Sequence, residues 1–322
     1  YDEWAEAVED LEGAIERAGD AEDGRPDKSV HALSRPRNRF DRIAHAMMGP
    51  FEAGVDTPDL SWQDVYAQVG TGVEWMVPQG LAAGIYKALG PVPVQLKTAV
   101  TKVHWGEGDT RVETDQGTLR CKAVIITVPT DIIADGSIAF DPPLPGWKLN
   151  AVRNVPMGVL DKIALQFTAD FGEYMEDTNT NTAYVQAGEE GQVWDHLLRP
   201  FDLDLCVTFL GGNFTRDLSR QPDAEAVAID LALENLASVF GNEVKDMFIK
   251  GHYTQWSTDP LARGAYSASR PGQNKQRGNI RKPVGKRLFF AGEATIPKWA
   301  TQVTGAYLSG QKAADEAAKA VG

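Results

Sequence analysis

Apolar residues at Trp4, Ala7, Val8, Leu11, Ala14 and Ile15, with Asp and Glu between them, recur at i, i+3, i+4 and i+7. They predict an amphipathic helix from Trp4 to Ala18. A charged loop with Gly and Pro follows, from Gly19 to Lys28. A second helix is expected over Ile43–Gly54 and a third over Leu60–Tyr66, where Ser61 can cap the first turn by accepting from an unpaired N–H. Leu81, Ile85 and Leu89 then share one face of a further helix.

Beyond that helix the period drops to two. Val92–Val103 reads as paired strand segments and Thr110–Thr118 as a hairpin, with a turn at Asp115–Gly117. Ala123–Pro129 is a continuous apolar run ended by proline, the pattern of a strand buried on both faces. After the proline-rich stretch Phe140–Pro145, Leu160–Phe167 alternates as a strand. Asn181–Leu205 reads as meandering strands interrupted at Trp194 and Pro200, and Cys206–Gly212 as one strand more. Glu225–Phe240 is a helix with Ala226, Ile229, Leu233 and Leu236 on its apolar face. Leu288–Phe290 makes a short buried strand, and an alanine-rich helix opens at Gly305 and runs to the C-terminus. This mixture predicts an α+β or α/β fold, and 322 residues are enough to bury a sizeable core and to hold two domains.

A formal net charge of −13 argues against nucleic-acid binding, which needs clustered Lys and Arg. An acidic balance suits cationic substrates such as amines, though it more often serves only solubility. Cys121 and Cys206 are the only cysteines; both lie in strand-like runs and read as buried free thiols, not as a disulfide framework or metal site. The five histidines form no ligand pattern, and no apolar run is long enough for a membrane span.

Two places carry candidate chemistry. The strand Leu288–Phe290, the small turn residues Ala291 and Gly292, Glu293 beyond them and the helix opening at Gly305 form a unit in which backbone N–H groups can face a ligand. Spacing alone leaves this open between a ligand site and an ordinary αβ connection. Lys162 sits among the apolar residues of Leu160–Phe167, where lysine is seldom buried unless paired or functional. The pattern by itself reads it as a strand-edge lysine whose ammonium snorkels to water. No Ser-His-Asp or Cys-His arrangement competes.

The wording of these segments goes further. Arg287-Leu-Phe-Phe-Ala-Gly-Glu-Ala-Thr295, with Trp299 and Val303-Thr-Gly-Ala-Tyr-Leu-Ser-Gly310, closely resembles the C-terminal flavin-binding segment of the flavin-dependent amine oxidases. That family holds the monoamine oxidases, polyamine oxidases and lysine-specific histone demethylases. Leu96–Val103 with Ala123–Pro129 is similar to its two strands at the adenine end of FAD, Val155–Phe167 to its lysine motif, and Thr254–Ser267 to its Trp…Asp-Pro…Ala-Arg-Gly…Tyr-Ser segment. The resemblance runs from about residue 60 to the C-terminus.

It implies a partial FAD-binding Rossmann-like domain interleaved with a substrate domain of mixed sheet plus helices. The expected division is 1–72, a helical part of the substrate domain; 73–135, an FAD-binding segment; 136–253, the substrate-binding domain; and 254–322, the C-terminal FAD-binding segment. It implies that Val100, Thr127, Val128, Pro129, Trp256, Gly292, Glu293, Thr301, Gln302 and Val303 meet FAD, and that Lys162 is catalytic, holding a water at flavin N5. Tyr266, Tyr307 and Trp299 would form the substrate cage, a tyrosine packed in a helix start being the plain alternative for Tyr307. Ala265 stands where monoamine oxidases carry a flavin-linking cysteine just before the tyrosine, so FAD is expected to be non-covalent.

The family pattern opens with a strand, a Gly-x-Gly-x-x-Gly turn and a helix that hold the pyrophosphate. Gly70-Thr-Gly-Val-Glu-Trp75 lacks the third glycine and a preceding strand, and Gly106-Glu-Gly-Asp109 falls in a predicted turn. The expectation is therefore a subunit or processed fragment of an FAD-dependent amine oxidase, with a second polypeptide supplying the Gly-rich βαβ unit and covering an open sheet edge. The opening at Tyr1 fits an N-terminal segment removed or carried elsewhere. The implied reaction takes a small-molecule amine to an imine by hydride transfer to flavin N5, with hydrolysis to an aldehyde or keto product and O2 or an electron-transfer protein as acceptor. The cytoplasm is the expected compartment and the periplasm the alternative. The rivals are a non-catalytic scaffold or regulatory subunit, an L-amino-acid oxidase of the same superfamily, and a flavin desaturase or porphyrinogen oxidase. Intact Lys162, Glu293 and Trp256 count against the first, and Ala262-Arg-Gly-Ala-Tyr-Ser267 with Lys162 against the last.

Overall fold

The computed structural model describes residues 2–21, 24–70, 76–106, 108–176, 182–186 and 193–322. Helix Asp2–Gly19 turns Ala7, Leu11, Ile15 and Ala18 inward, the stripe its spacing requires. They share a core with helix Arg39–Ala46, the π-helical segment Met47–Ala53 and helix Trp62–Ala67. Ser61 caps the last of these, accepting from the Asp64 N–H at 3.0 Å. The helix expected over Ile43–Gly54 instead starts at Arg39, because Asn38 accepts from the Phe40 and Asp41 N–H groups. It widens to a π turn at Met47, where Pro50 cannot donate to a regular ladder.

Eleven strands pair among the described residues. β1 (Val100–His104), β2 (Thr110–Thr114), β3 (Gly117–Cys121), β4 (Val124–Ile126) and β5 (Ala139–Asp141) come first. β6 (Leu160–Phe167), β7 (Thr182–Gln186), β8 (Val193–Leu198), β9 (Leu205–Gly211), β10 (Phe248–Tyr253) and β11 (Leu288–Phe290) follow. They form a sheet in the order β3-β2-β1-β5, another in the order β10-β6-β9-β8-β7, and a parallel pair of β4 with β11. The five-stranded sheet packs Ile163, Leu165, Cys206 and Leu210 against helix Ala224–Phe240. A second core joins Val103, Ile126, Leu288 and Phe290 to the helices Thr130–Ala134, Gly146–Arg153 and Gln276–Arg281.

Gly211, at the end of β9, fixes how the first segment lies on this sheet. A Cβ there would stand 1.7 Å from the Pro50 carbonyl oxygen, so only glycine lets Met47–Ala53 settle onto the end of β9.

Several expectations need correction, each for a local reason. Val92–Ala99 forms no strand: Pro91 and Pro93 bring no N–H to a ladder, Lys97 turns at φ 52°, and pairing begins only at Val100. Ala123–Pro129 gives only the three residues of β4, and Ile125 is exposed, so burial on both faces is not reached. Trp194 lies buried inside β8 and interrupts nothing, whereas Pro200 does sit in a 3-10 turn. Helix Ala224–Phe240 buries Ala224, Ala228, Ala232 and Leu236, and Ala226 is exposed, because small residues let the helix lie close on β6 and β10. Cys121, at the end of β3, is only half-buried, unlike Cys206. Helix Leu81–Leu89 forms but buries none of its residues, and the C-terminal helix starts at Val303, two positions ahead of Gly305.

Candidate active site

β4 and β11 run side by side in the same direction, Val124 opposite Leu288 and Ile126 opposite Phe290. Both chains leave the pair at one end, and Ile126–Thr130 and Phe290–Thr295 enclose a cavity there of about 250 Å³. The crevice beyond the carboxyl ends of parallel strands is where open α/β sheets bind ligands. Thr127, Val128, Pro129, Gly292 and Glu293 line it, together with Met157, Ala265 and Ala306.

Gly292 makes this wall bare. Its φ of 134° is open only to glycine, and a Cβ built on it meets nothing within 4 Å. Its N–H donates to Ser309 Oγ at 2.9 Å and its carbonyl accepts from Thr295 Oγ1 at 2.8 Å, so the turn is held from behind. Helix Val303–Val321 starts nearby with no side-chain cap at Gln302, leaving first-turn N–H groups for an anionic ligand. These features fit a phosphate-bearing cofactor. The volume fits only part of one, because sites for drug-sized ligands span roughly 300–1,000 Å³ and FAD is larger than most such ligands.

The Glu293 carboxylate is engaged by the protein itself. It accepts from the Ser267 N–H at 3.1 Å, Ser267 Oγ at 2.9 Å and the Thr301 N–H at 2.8 Å. Behind it lies Arg277, fully buried, which donates to both oxygens of Asp64 at 2.6 and 2.7 Å and to Ser267 Oγ and O at 2.7 and 2.9 Å. Asp64 also accepts from Ser269 N–H and Oγ. Burial alone would raise the Asp64 carboxyl, but the Arg277 charge and its hydrogen bonds outweigh that and hold it below its ordinary value. Burial likewise opposes the Arg277 cation, and Asp64 overcomes it and keeps Arg277 charged. Charges and hydroxyls thus tie the first helical segment through Ser267 to the cavity wall. Asp64 and Arg277 escaped the reading of the sequence because they lie far apart along the chain.

Lys162 stands on the outward positions of β6, opposite Phe209 of β9, its ammonium 5.1 Å from the ring centre. Asp161 points the other way, fully buried. It accepts from the Trp256 N–H at 2.7 Å, Thr254 Oγ1 at 2.9 Å and Ser219 Oγ at 3.2 Å. Its carboxylate therefore pins the turn that carries Trp256 next to the strand that carries Lys162. A signal was present: Asp161 shares the inward parity of Ile163 and Leu165, and a carboxylate at such a position has a partner to hold.

The other candidates are more scattered. Tyr266 donates its O–H to the Phe51 carbonyl at 3.0 Å, and burial pushes its phenol above the ordinary value, so it is neutral. Tyr307 is 49 % exposed and its oxygen accepts from Gln311 Nε2. Trp299 is half-buried beside Lys298, Thr301 turns at φ 66°, Gln302 donates to the Val69 carbonyl, and Val303 is exposed. Val100 opens β1 in a different sheet and does not line the cavity. Trp256 is 44 % exposed.

Residues 45–318 match the family described as flavin containing amine oxidoreductase. The chain is 28% identical over 271 residues to lysine-specific histone demethylase 2 of Homo sapiens, covering 80% of this chain and 32% of that protein. It is 28% identical over 277 residues to polyamine oxidase 4 of Oryza sativa subsp. japonica, covering 84% of this chain and 54% of that one. The chain thus spans between about a third and about half of these relatives. Among solved structures, putrescine oxidase bound to putrescine superposes with a TM-score of 0.75 at 19% identity, over 98% of this chain and 75% of that one. Cyclohexylamine oxidase from Brevibacterium oxydans gives a TM-score of 0.74 at 19% identity, over 99% and 75%. The fold, with its mixed helices and sheets, is that of these oxidases. With the family matched over most of its length, the chain belongs to the flavin-containing amine oxidoreductases.

Proposed function

We propose that this chain is part of an FAD-dependent amine oxidase, and that a second polypeptide carrying a Gly-rich βαβ unit completes its FAD site. The observation that carries this reading is the cavity at the ends of β4 and β11. It has an open glycine wall and an uncapped helix start, yet its volume is about 250 Å³. An exposed apolar surface elsewhere on the chain also supports a partner. Leu81, Tyr86, Leu89, Val92, Val94 and Leu96 are all exposed, Tyr86 at 72 %. Apolar side chains exposed along a helix that buries nothing and the segment after it are what a docking face leaves open to water.

FAD, when bound, supplies the two-electron acceptor for oxidising a C–N bond to an imine, which water hydrolyses. In this reading Thr127–Pro129, Gly292 and the Val303 helix start hold the cofactor, with no covalent link because Ala265 offers no thiol. The Lys162 ammonium holds a water, and its charge favours the neutral form of an incoming amine. Tyr266, Tyr307 and Trp299 offer aromatic faces that attract a cationic nitrogen.

Native mass spectrometry of the protein purified from its source tests the assembly. The expected spectrum is a complex of this chain, a second polypeptide and one FAD, with the chain mass unchanged and FAD free after denaturation. A lone chain carrying FAD, or a chain retaining the flavin mass after denaturation, would overturn the partner or the non-covalent attachment respectively.

A further inference from the structure

A second cavity, of about 470 Å³, lies on the other side of Met157 from the first and has a different character. Gly54, Val55, Pro156, Met157 and Ala268 make its walls, and three arginines reach it from three elements. Arg153 comes from the last turn of helix Gly146–Arg153, Arg216 from helix Gly212–Leu218, and Arg270 from the segment after Ser269. Two carboxylates, Asp59 and Asp131, also line it.

The three guanidinium groups lack ion-pair partners. Arg263 pairs with Asp135 at 3.2 Å and Arg277 with Asp64 at 2.6 Å, but among the described residues no carboxylate lies within ion-pair distance of Arg153, Arg216 or Arg270. Arg216 donates only a long bond of 3.4 Å to the Met157 carbonyl. Asp131 accepts from the Met157 N–H at 3.3 Å, and burial pushes its carboxyl above the ordinary value against the opposing charges of Arg216 and Arg270. In a chain with 45 acidic and 32 basic side chains, three arginines without an ion-pair contact face only two carboxyl groups, Asp59 and Asp131, and leave this cavity a surplus of positive charge. Planar guanidinium forks match the paired oxygens of carboxylate and phosphate.

We propose that this cavity is a binding site for a small oxyanion, a phosphate or a dicarboxylate, held by Arg153, Arg216 and Arg270. The bound anion rests on Pro156–Met157, the segment that leads into β6, and Met157 also walls the first cavity. The site stands on its own geometry and does not require the first cavity to be an FAD site.

Isothermal titration calorimetry of the full chain, in its native complex, tests it with inorganic phosphate in one arm and malonate in the other. Ionic strength is held constant with sodium chloride. The expected result is saturable one-to-one binding of at least one anion with a dissociation constant of ~1 mM or tighter. The arm with the lower constant identifies the source. The double variant Arg216→Gln/Arg270→Gln should weaken binding by at least about tenfold, the worth of one lost charge-assisted bond. Arg220→Gln, a surface arginine beside Asp217, should leave it unchanged. Should the double variant fail to fold, Arg270→Gln alone serves, since no hydrogen bond or ion pair is made by the Arg270 side chain among the described residues and its change still weakens binding severalfold. Absence of saturable heat with both anions overturns the proposal, as does undiminished affinity in the arginine variants.

Discussion

Asp161 and Lys162 are neighbours on β6 that face opposite ways, and the difference sets what each can do. Lys162 lies on the exposed side against Phe209, free to hold a water. Asp161 is sealed inside and spends its oxygens on the Trp256 turn. Lys162→Met should therefore slow flavin reduction by amine roughly a hundredfold, the scale of losing a proton-handling group, with FAD still bound. A stopped-flow reduction rate equal to the parent's would remove Lys162 from the chemistry. Arg277→Met should act on stability instead. It leaves Asp64 charged in the interior with no cation and only the Ser269 N–H and hydroxyl to meet it, and removing one partner of such a pair costs about 3–5 kcal/mol. Chemical denaturation reads this directly, and a change under about 1 kcal/mol would show that the pair carries no stability. Of these residues, Lys162 and Glu293 could be singled out as candidates because they stand inside motifs. Asp64 and Arg277 were not, because pattern along a chain says nothing about which distant charges meet. The structure also adds that the Glu293 carboxylate is met by Ser267 and Thr301, which motif reading did not foresee.

Elements followed the sequence where burial and period agreed. Helix Asp2–Gly19, the hairpin of β2 and β3, strand β6 and strand β11 all sit where alternation or helical spacing put them. Helix Leu81–Leu89 also forms as its stripe predicts, with that stripe uncovered among the described residues, whereas Ala123–Pro129 has strand composition but pairs over only three residues. Close packing was invisible too: nothing in the letters shows Gly211 against the Pro50 carbonyl. Gly211→Ala should destabilise by about 1–3 kcal/mol, as overpacking does, and an unchanged melting temperature would contradict that contact. His196 makes β8 sensitive to acid. Its ring nitrogens meet Thr208 Oγ1 at 2.8 Å and Asn235 Oδ1 at 2.7 Å, and burial holds its pKa down to about 4 from 6.5. As pH falls below 6.5 the unfolded chain takes up the proton first, so stability drops until about pH 4, by on the order of 3 kcal/mol. Urea titrations across that range should show the decline, and a flat profile would mean the ring is solvated.

The whole molecule joins a well-filled core at the five-stranded sheet to a region whose apolar surface is partly bare. Among the described residues, sixteen buried side chains of the five-stranded sheet and the elements against it form one core, whereas β4 and β11 pair only with each other and the Leu81–Leu96 surface faces water. The resemblance of the motifs pointed to one family along most of the chain, and the structure adds the cavity of about 250 Å³ at the ends of β4 and β11. The most direct measurement is the visible absorption spectrum of the native assembly before and after anaerobic addition of an amine series that includes putrescine. The proposed function predicts a flavin band in the blue that at least one amine bleaches and oxygen or another acceptor restores. A colourless assembly, or a flavin band that no amine bleaches, would contradict it.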